Sequence, residues 1–189
     1  KGVSMDRIAA AVERREAALE RASSVLRGPR AVDADGLDVG ADAVEEGISD
    51  LEQIKALGLQ GVMLPGYPAC VDDGDYDDPR WDPFWRAAVE LELPVSFHIL
   101  TGGAANLGSP EFRGPKMNGF FGIIRSCQDM IGTLIFGRVF DRVPELRIVC
   151  VEADAGWVPH WMYRADHAVE RHRNWLGAGD LDRKPSEYF

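Results

Sequence analysis

The chain has 189 residues, 46% of them hydrophobic and 28% charged, and a formal net charge of −10. That length leaves room for a sizeable core. The acidic balance argues against a nucleic-acid partner, because the nearest basic cluster, Arg164, Arg171, His172 and Arg173, is broken by Asp166 and Glu170. No apolar run approaches the roughly 18 residues that span a bilayer, so no membrane partner is expected. The first turns carry Asp6, Glu13 and Glu16 and no apolar core of a signal peptide. Cys70, Cys127 and Cys150 are far apart in sequence and form no CxxC, which reads as a reduced, cytoplasmic protein with no disulfide framework. The chain begins at Lys1 rather than Met, as a segment of something longer would.

Residues 4–27 are predicted to form a helix, with Ser4 as cap, an apolar face of Ile8, Val12, Leu19 and Leu26, and Gly28-Pro29 as stop. Residues 29–41 form a Gly- and Asp-rich connection, so residues 1–41 are set apart from 42–189. A second helix is expected over 42–57. Asp42 and Glu45 resemble a capping box, Val44, Ile48, Leu51 and Ile54 form a stripe, and Gly58 follows the last turn. Gly61-Val62-Met63-Leu64-Pro65 is a short buried-type strand. The acidic loop 66–81 fails the calcium-loop pattern: counted from Asp73, its sixth and twelfth positions hold Asp78 and Phe84 rather than Gly and Glu.

Asp82-Pro83 opens the next helix as cap and first helical residue, and Pro94 ends it. A strand over 95–99 leads into a Gly-, Asn- and Pro-rich loop at 100–118. Helical pattern resumes over 119–141 with a break near Asp129, a strand follows at 147–152, and a last helix spans 157–176. Short apolar runs alternating with helices signify βα units and a parallel sheet. A (β/α)8 barrel has eight strands and usually needs about 250 residues. Three strand-type runs therefore fit either a small open α/β domain or part of a barrel.

His98 closes the run Pro94-Val95-Ser96-Phe97-His98-Ile99, just before Thr101-Gly102-Gly103. A strand that delivers an imidazole to its C-terminal end is how α/β barrels present metal ligands and catalytic bases. Arg147-Ile148-Val149-Cys150-Val151-Glu152 ends in a carboxylate in the same way, followed by Ala153-Asp154-Ala155-Gly156. Glu152 is a candidate general acid–base. Asp154 is a second catalytic candidate or a cap for the helix near Trp157. His160, His167 and His172 lack the i, i+4 spacing of helical metal motifs, which favours solvated or packed rings. His160 stands out because it is close to Glu152 in sequence.

These residues carry a resemblance. Trp81-Asp82-Pro83-Phe84-Trp85 with Leu93-Pro94-Val95-Ser96-Phe97-His98 resembles the central segment of the amidohydrolase-related family, in the branch that includes the aminocarboxymuconate-semialdehyde decarboxylase group. Gly137-Arg138-Val139-Phe140-Asp141-Arg142-Val143-Pro144-Glu145-Leu146-Arg147 is similar to that family's approach to a late barrel strand. Glu152-Ala153-Asp154-Ala155-Gly156-Trp157-Val158-Pro159, with Arg164 and Asp166 after it, fits one of its subgroups, and the match covers roughly 42–189. The resemblance implies an α/β fold: part of a TIM-like (β/α)8 barrel, first and last strands missing, that holds a divalent metal, often zinc, at its C-terminal face. It implies His98 as the middle-strand metal ligand; Glu152 and Asp154 are expected as catalytic groups, and His160 and Trp157 as substrate contacts.

The family's other ligands, an HxH pair and a last-strand aspartate, have no counterpart in this sequence. Glu152 stands where the decarboxylase group usually has histidine, so Glu-bearing relatives look like the closer kin. The implied activity is metal-dependent hydrolysis or non-oxidative decarboxylation of a small, carboxylated substrate. The family often forms dimers, so a homodimer is an expectation.

Two other readings compete. In a catalytically incomplete α/β remnant or binding module, exposed aromatics such as Trp81 and Trp85 would mark a protein contact. In a complete small α/β domain, His98 and Glu152 would work as a metal-free acid–base pair. Open sheet edges and uncovered helix faces also lead us to expect that the chain by itself aggregates or stays loosely packed.

Overall fold

The computed structural model describes residues 39–68, 74–99, 101, 114–177 and 180–189. The expected helix at 4–27 and most of the loop at 100–118 lie outside them. In chain order the described elements are α1 (Val39–Ala56), β1 (Val62–Leu64), a 3-10 turn (Pro79–Trp81), α2 (Asp82–Glu90) and β2 (Val95–His98). Then come α3 (Lys116–Gly122), α4 (Arg125–Phe136), α5 (Val139–Arg142), β3 (Ile148–Val151), α6 (Val158–Leu176) and a closing 3-10 turn (Pro185–Tyr188).

The three strands form one parallel sheet in the order β1-β2-β3. Val95 faces Val62 on one side and Ile148 on the other, and His98 faces Val151. Side chains alternate across a strand. Val95 and Phe97 are accordingly buried in the core, whereas Ser96 and His98 are half-buried on the opposite face. Because all three strands run the same way, Leu64, His98 and Val151 end on one edge of the sheet.

The main core gathers Leu51 and Ile54 of α1, Phe84, Trp85 and Ala88 of α2, Leu134 and Ile135 of α4, and Val139 and Phe140 of α5 against Val62, Val95 and Phe97. Tyr76, Trp81, Phe84, Trp85 and Phe97 meet at ring-centroid distances of 5.1–6.5 Å, edge-on or tilted. Trp85 is fully buried and Trp81 is 8% exposed, so neither marks a protein contact. Their apolar bulk is what fixes α2 to the sheet.

Local details depart from expectation for physical reasons. Asp42 lies inside α1, which spans Val39–Ala56, so the Asp42–Glu45 pattern does not mark its start. Gly58 does follow the last turn: at φ 74° it occupies the left-handed region that glycine enters without penalty. Asp82 is the first residue of α2 rather than its cap; Asp78 caps the preceding 3-10 turn by accepting from the Arg80 N–H. The break expected near Asp129 does not occur, since Asp129 is inside α4. The chain instead breaks between Gly122 and Arg125, and again at Gly137-Arg138, where Arg138 turns left-handed at φ 62°.

The C-terminal segment is tied down by polar contacts. Asp141 accepts from Tyr188 Oη and Arg138 Nε, Arg138 reaches Asp182, and Ser186 donates to Asp166 through both its backbone N–H and its hydroxyl.

Candidate active site at the C-terminal edge of the sheet

The edge where the parallel strands end is where α/β proteins place reactive groups, because the loops leaving the strands converge there. β2 ends on His98. Thr101 closes the turn after it: both its backbone N–H and its hydroxyl donate to the His98 carbonyl, at 3.1 and 2.8 Å. The Thr101 carbonyl in turn accepts from Gly66 N–H at 3.0 Å, which ties the loop after β1 to the loop after β2. From the other side, the N-terminal turn of α4 holds the strand end. Ser126 Oγ donates to the Ile99 carbonyl at 3.0 Å, and Cys127 Sγ to the Phe97 carbonyl at 3.7 Å. The carbonyls of Phe97, His98 and Ile99 are thus all engaged, and the His98 backbone has little freedom to shift.

β3 delivers Glu152 beside it. Glu152 and Asp154 both adopt left-handed backbone, at φ 58° and 53°, with buried Ala153 between them. Non-glycine residues enter that region at a cost of order 1–3 kcal/mol each, and such strain persists where the surroundings enforce it. Two features enforce it. Ala153 packs into a small second core with Ile99, Ile123 and Cys127. Trp157 Nε1 donates to the Ala153 carbonyl at 2.6 Å, locking the turn. The outcome is that Glu152 Oε2 stands 3.2 Å from His98 Nε2, with the imidazole 24% exposed and the carboxylate 67% exposed. An imidazole backed by a strand and a carboxylate open to solvent, within hydrogen-bond distance, can pass a proton between the protein and a bound molecule.

The other sequence-level candidates are placed differently. Asp154 is exposed on the same turn, but it does not cap α6: the residue preceding that helix is Trp157, and no side chain caps it. Trp157 is half-buried and serves the turn directly. His160 is exposed on the first turn of α6. Thr101, Ser126 and Cys127 hold the site without having stood out as functional residues in the sequence. Thr101 was visible only as the start of a Gly-rich run, and Ser126 and Cys127 read as ordinary helix positions.

A catalytic divalent-metal site normally takes three protein ligands plus water. Among the described residues no three His, Cys, Asp or Glu side chains are grouped to hold an ion. His98, with Glu152 beside it, supplies part of a donor set and does not fit a complete one. Among the described residues, no helix is long and apolar enough to cross a membrane.

Comparison with known proteins places this edge in context. The sequence model of the amidohydrolase family matches residues 4–188. A gamma-resorcylate decarboxylase of Rhodococcus jostii (strain RHA1) is 28% identical over 124 residues, covering 60% of this chain and 36% of that protein. An amidohydrolase from Mycobacterium avium subsp. paratuberculosis K-10 superposes with a TM-score of 0.60 at 22% identity, over 78% of this chain and 38% of the other. A dihydroxybenzoic acid decarboxylase from Polaromonas sp. JS666, solved with bound manganese and the inhibitor 2-nitroresorcinol, superposes with a TM-score of 0.53 at 21% identity, over 77% of this chain and 45% of the other. The chain therefore spans less than half the length of these relatives. With the family model matched over almost its whole length, the chain belongs to the amidohydrolase family, and its three-stranded parallel sheet corresponds to part of that family's TIM-like barrel.

Proposed function

We propose that this chain contributes the middle of the catalytic barrel of a metal-dependent carboxy-lyase acting on a small hydroxylated aromatic carboxylate. The observation that carries the reading is the His98–Glu152 contact, 3.2 Å across the C-terminal ends of two adjacent parallel strands. The decarboxylase relatives supply the reaction class and the substrate class. In that reaction the bond between the ring and the carboxylate breaks and its electron pair stays on the ring carbon. Carbon dioxide leaves, and the ring carbon takes up one proton. Glu152, open to solvent at the mouth, is the group of the pair that reaches the substrate and exchanges the proton, and His98 behind it orients the carboxylate. Trp157 and His160, on the turn and helix that follow, are proposed to border the substrate.

Members of the superfamily bind a divalent metal, and the Polaromonas relative holds manganese. Zinc and manganese are therefore the two ions to load. His98 is proposed as one ligand, with the remaining donors from outside the described residues. We also propose a homodimer, on the family resemblance, and a reduced, cytoplasmic setting, on the free thiols of Cys127 and Cys150.

One observation favours a second reading, hydrolysis. Glu152 presents a largely exposed carboxylate where the decarboxylase group usually carries histidine, and a carboxylate can take a proton from attacking water. The deciding experiment uses the full-length protein loaded with zinc or with manganese. Carbon dioxide release from 2,6-dihydroxybenzoate and related hydroxybenzoates is measured beside hydrolysis of small esters, amides and lactones. Carbon dioxide release alone supports the first reading, and hydrolysis alone supports the second. Neither activity, with no stoichiometric metal bound, would favour the binding-module alternative.

A further inference from the structure

The fold brings together two cysteines that the sequence keeps apart. Cys127 lies in the first half of α4 and Cys150 on β3. Cys150 is the register partner of Phe97, and Cys127 Sγ donates to the Phe97 carbonyl. Both pack in the small core with Ile99, Ile123 and Ala153, near enough for each thiol to shift the other's ionisation. Neither is in a disulfide. One residue beyond Phe97 is His98, and two beyond Cys150 is Glu152, so the thiol pair lies directly behind the candidate site.

We propose that Cys127 and Cys150 form a disulfide that peroxide closes and thiol reductants reopen, bridging α4 and β3. The oxidant must be close to water in size, because Cys127 is only 1% exposed. The Cys127 thiolate attacks one peroxide oxygen, the O–O bond breaks, and hydroxide leaves, giving a sulfenic acid. The Cys150 sulfur then attacks the Cys127 sulfur; its proton and the sulfenic hydroxyl leave as water. In sum, two thiols and one peroxide give one disulfide and two waters.

The environment suits this order of events. The neighbouring Cys150 thiol draws the Cys127 thiol below its ordinary range, while Cys127 and burial push Cys150 up. Cys127 is thus the easier of the two to deprotonate, which makes it the attacking sulfur. Closure has a structural consequence as well. It removes the S–H donor from the Phe97 carbonyl, one of the four hydrogen bonds that fix the strand end carrying His98. The inference rests on the fold and does not depend on which reaction the site performs.

The test treats the full-length protein with hydrogen peroxide, blocks remaining thiols under denaturing conditions, and maps peptides by mass spectrometry before and after reduction. It is run on the wild type and on Cys70→Ser, which removes the third cysteine. We expect the peptides carrying Cys127 and Cys150 to appear linked in both proteins, two hydrogens lighter than the free pair and separated by dithiothreitol. In Cys150→Ser, Cys127 should accumulate as a sulfenic acid that dimedone traps when it is present as the protein is denatured. The proposal is overturned if both thiols remain alkylatable after peroxide. It is equally overturned if either is carried to sulfinic acid without linkage, or if the bond forms to Cys70 instead.

Discussion

Replacing Arg142 with alanine should destabilise the folded protein by about 2–4 kcal/mol, and the geometry sets that range. Arg142 ends α5, and its guanidinium ties Asp77 and Asp82, 65 and 60 residues earlier in the chain, to Gly137 just before its own helix. Nε lies 2.9 Å from both carboxylate oxygens of Asp82, Nη1 donates to the Gly137 carbonyl at 2.6 Å, and Nη2 donates to the Asp77 carbonyl at 2.8 Å. An exposed ion pair contributes only about 0–1 kcal/mol. Removing one partner of a fully buried pair costs about 3–5 kcal/mol, because the other charge is stranded. Arg142 and Asp82 side chains are 25% and 14% exposed, nearer the buried limit, with water able to recover part of the loss. The two orphaned carbonyls add to the cost of the stranded carboxylate. At roughly 2–4 °C per kcal/mol for a domain of about 150–250 residues, the midpoint should fall by roughly 5–15 °C. Urea unfolding of the full-length wild type, Arg142→Ala, Asp82→Ala and the double variant gives the pair's coupling, expected at about 1–2 kcal/mol. A loss below about 0.5 kcal/mol, or strictly additive single variants, would refute the clamp.

Gly137→Ala should cost about 1–3 kcal/mol by overpacking, since the added methyl would stand 2.1 Å from Asp77 Cβ and 2.7 Å from the Thr133 carbonyl; an unchanged urea midpoint would contradict the close approach. The Asp141–Tyr188 bond gives a pH signature. Burial, and then the hydrogen bond to Asp141, push the Tyr188 hydroxyl up to about 12. Its folded value lies above its unfolded one, so its contribution to stability is full below pH 10 and lost as pH rises toward 12. For Asp141, burial raises the pKa but the hydrogen bonds from Tyr188 and Arg138 outweigh it and hold the carboxyl below its ordinary range. That contribution is present above the ordinary carboxylate pKa and lost as pH falls through the lowered folded value. Tyr188→Phe should flatten the alkaline fall and weaken the acid one, read from thermal midpoints against pH; identical profiles would rule the bond out as their source. His98→Ala should lower bound metal and turnover together in the metal-loaded protein, and unchanged metal content would remove His98 from the ligand set.

The strands were legible because their signal is local. Apolar runs at 61–65, 95–99 and 147–152 were read to within a residue or two of Val62–Leu64, Val95–His98 and Ile148–Val151. His98 and Glu152 were legible for the same reason: each is the polar residue that ends such a run. Their mutual contact was not, because it depends on strand register and on two left-handed residues around Ala153, and neither leaves a local mark in a sequence lacking glycine there. Trp81 and Trp85 were misread as surface because a motif shows residue type and not the direction a helix faces; tertiary packing buries both. The thiol pair was hidden by sequence distance, which a parallel crossover erases. The break near Asp129 failed because a single polar residue on the outer side of an amphipathic helix costs little, whereas Arg138 in the left-handed region does end one.

The most direct test of the His98–Glu152 pair as proton-transfer apparatus is steady-state kinetics of Glu152→Gln in the full-length, metal-loaded protein, on whichever substrate the wild type turns over. Glutamine keeps the shape and one acceptor oxygen but cannot exchange a proton. General acid–base groups typically contribute about 10²- to 10⁴-fold, so kcat should fall by that order while KM stays within a few-fold and the protein melts as the wild type does. A variant with wild-type kcat would show that the 3.2 Å contact is structural and that the proton comes from elsewhere.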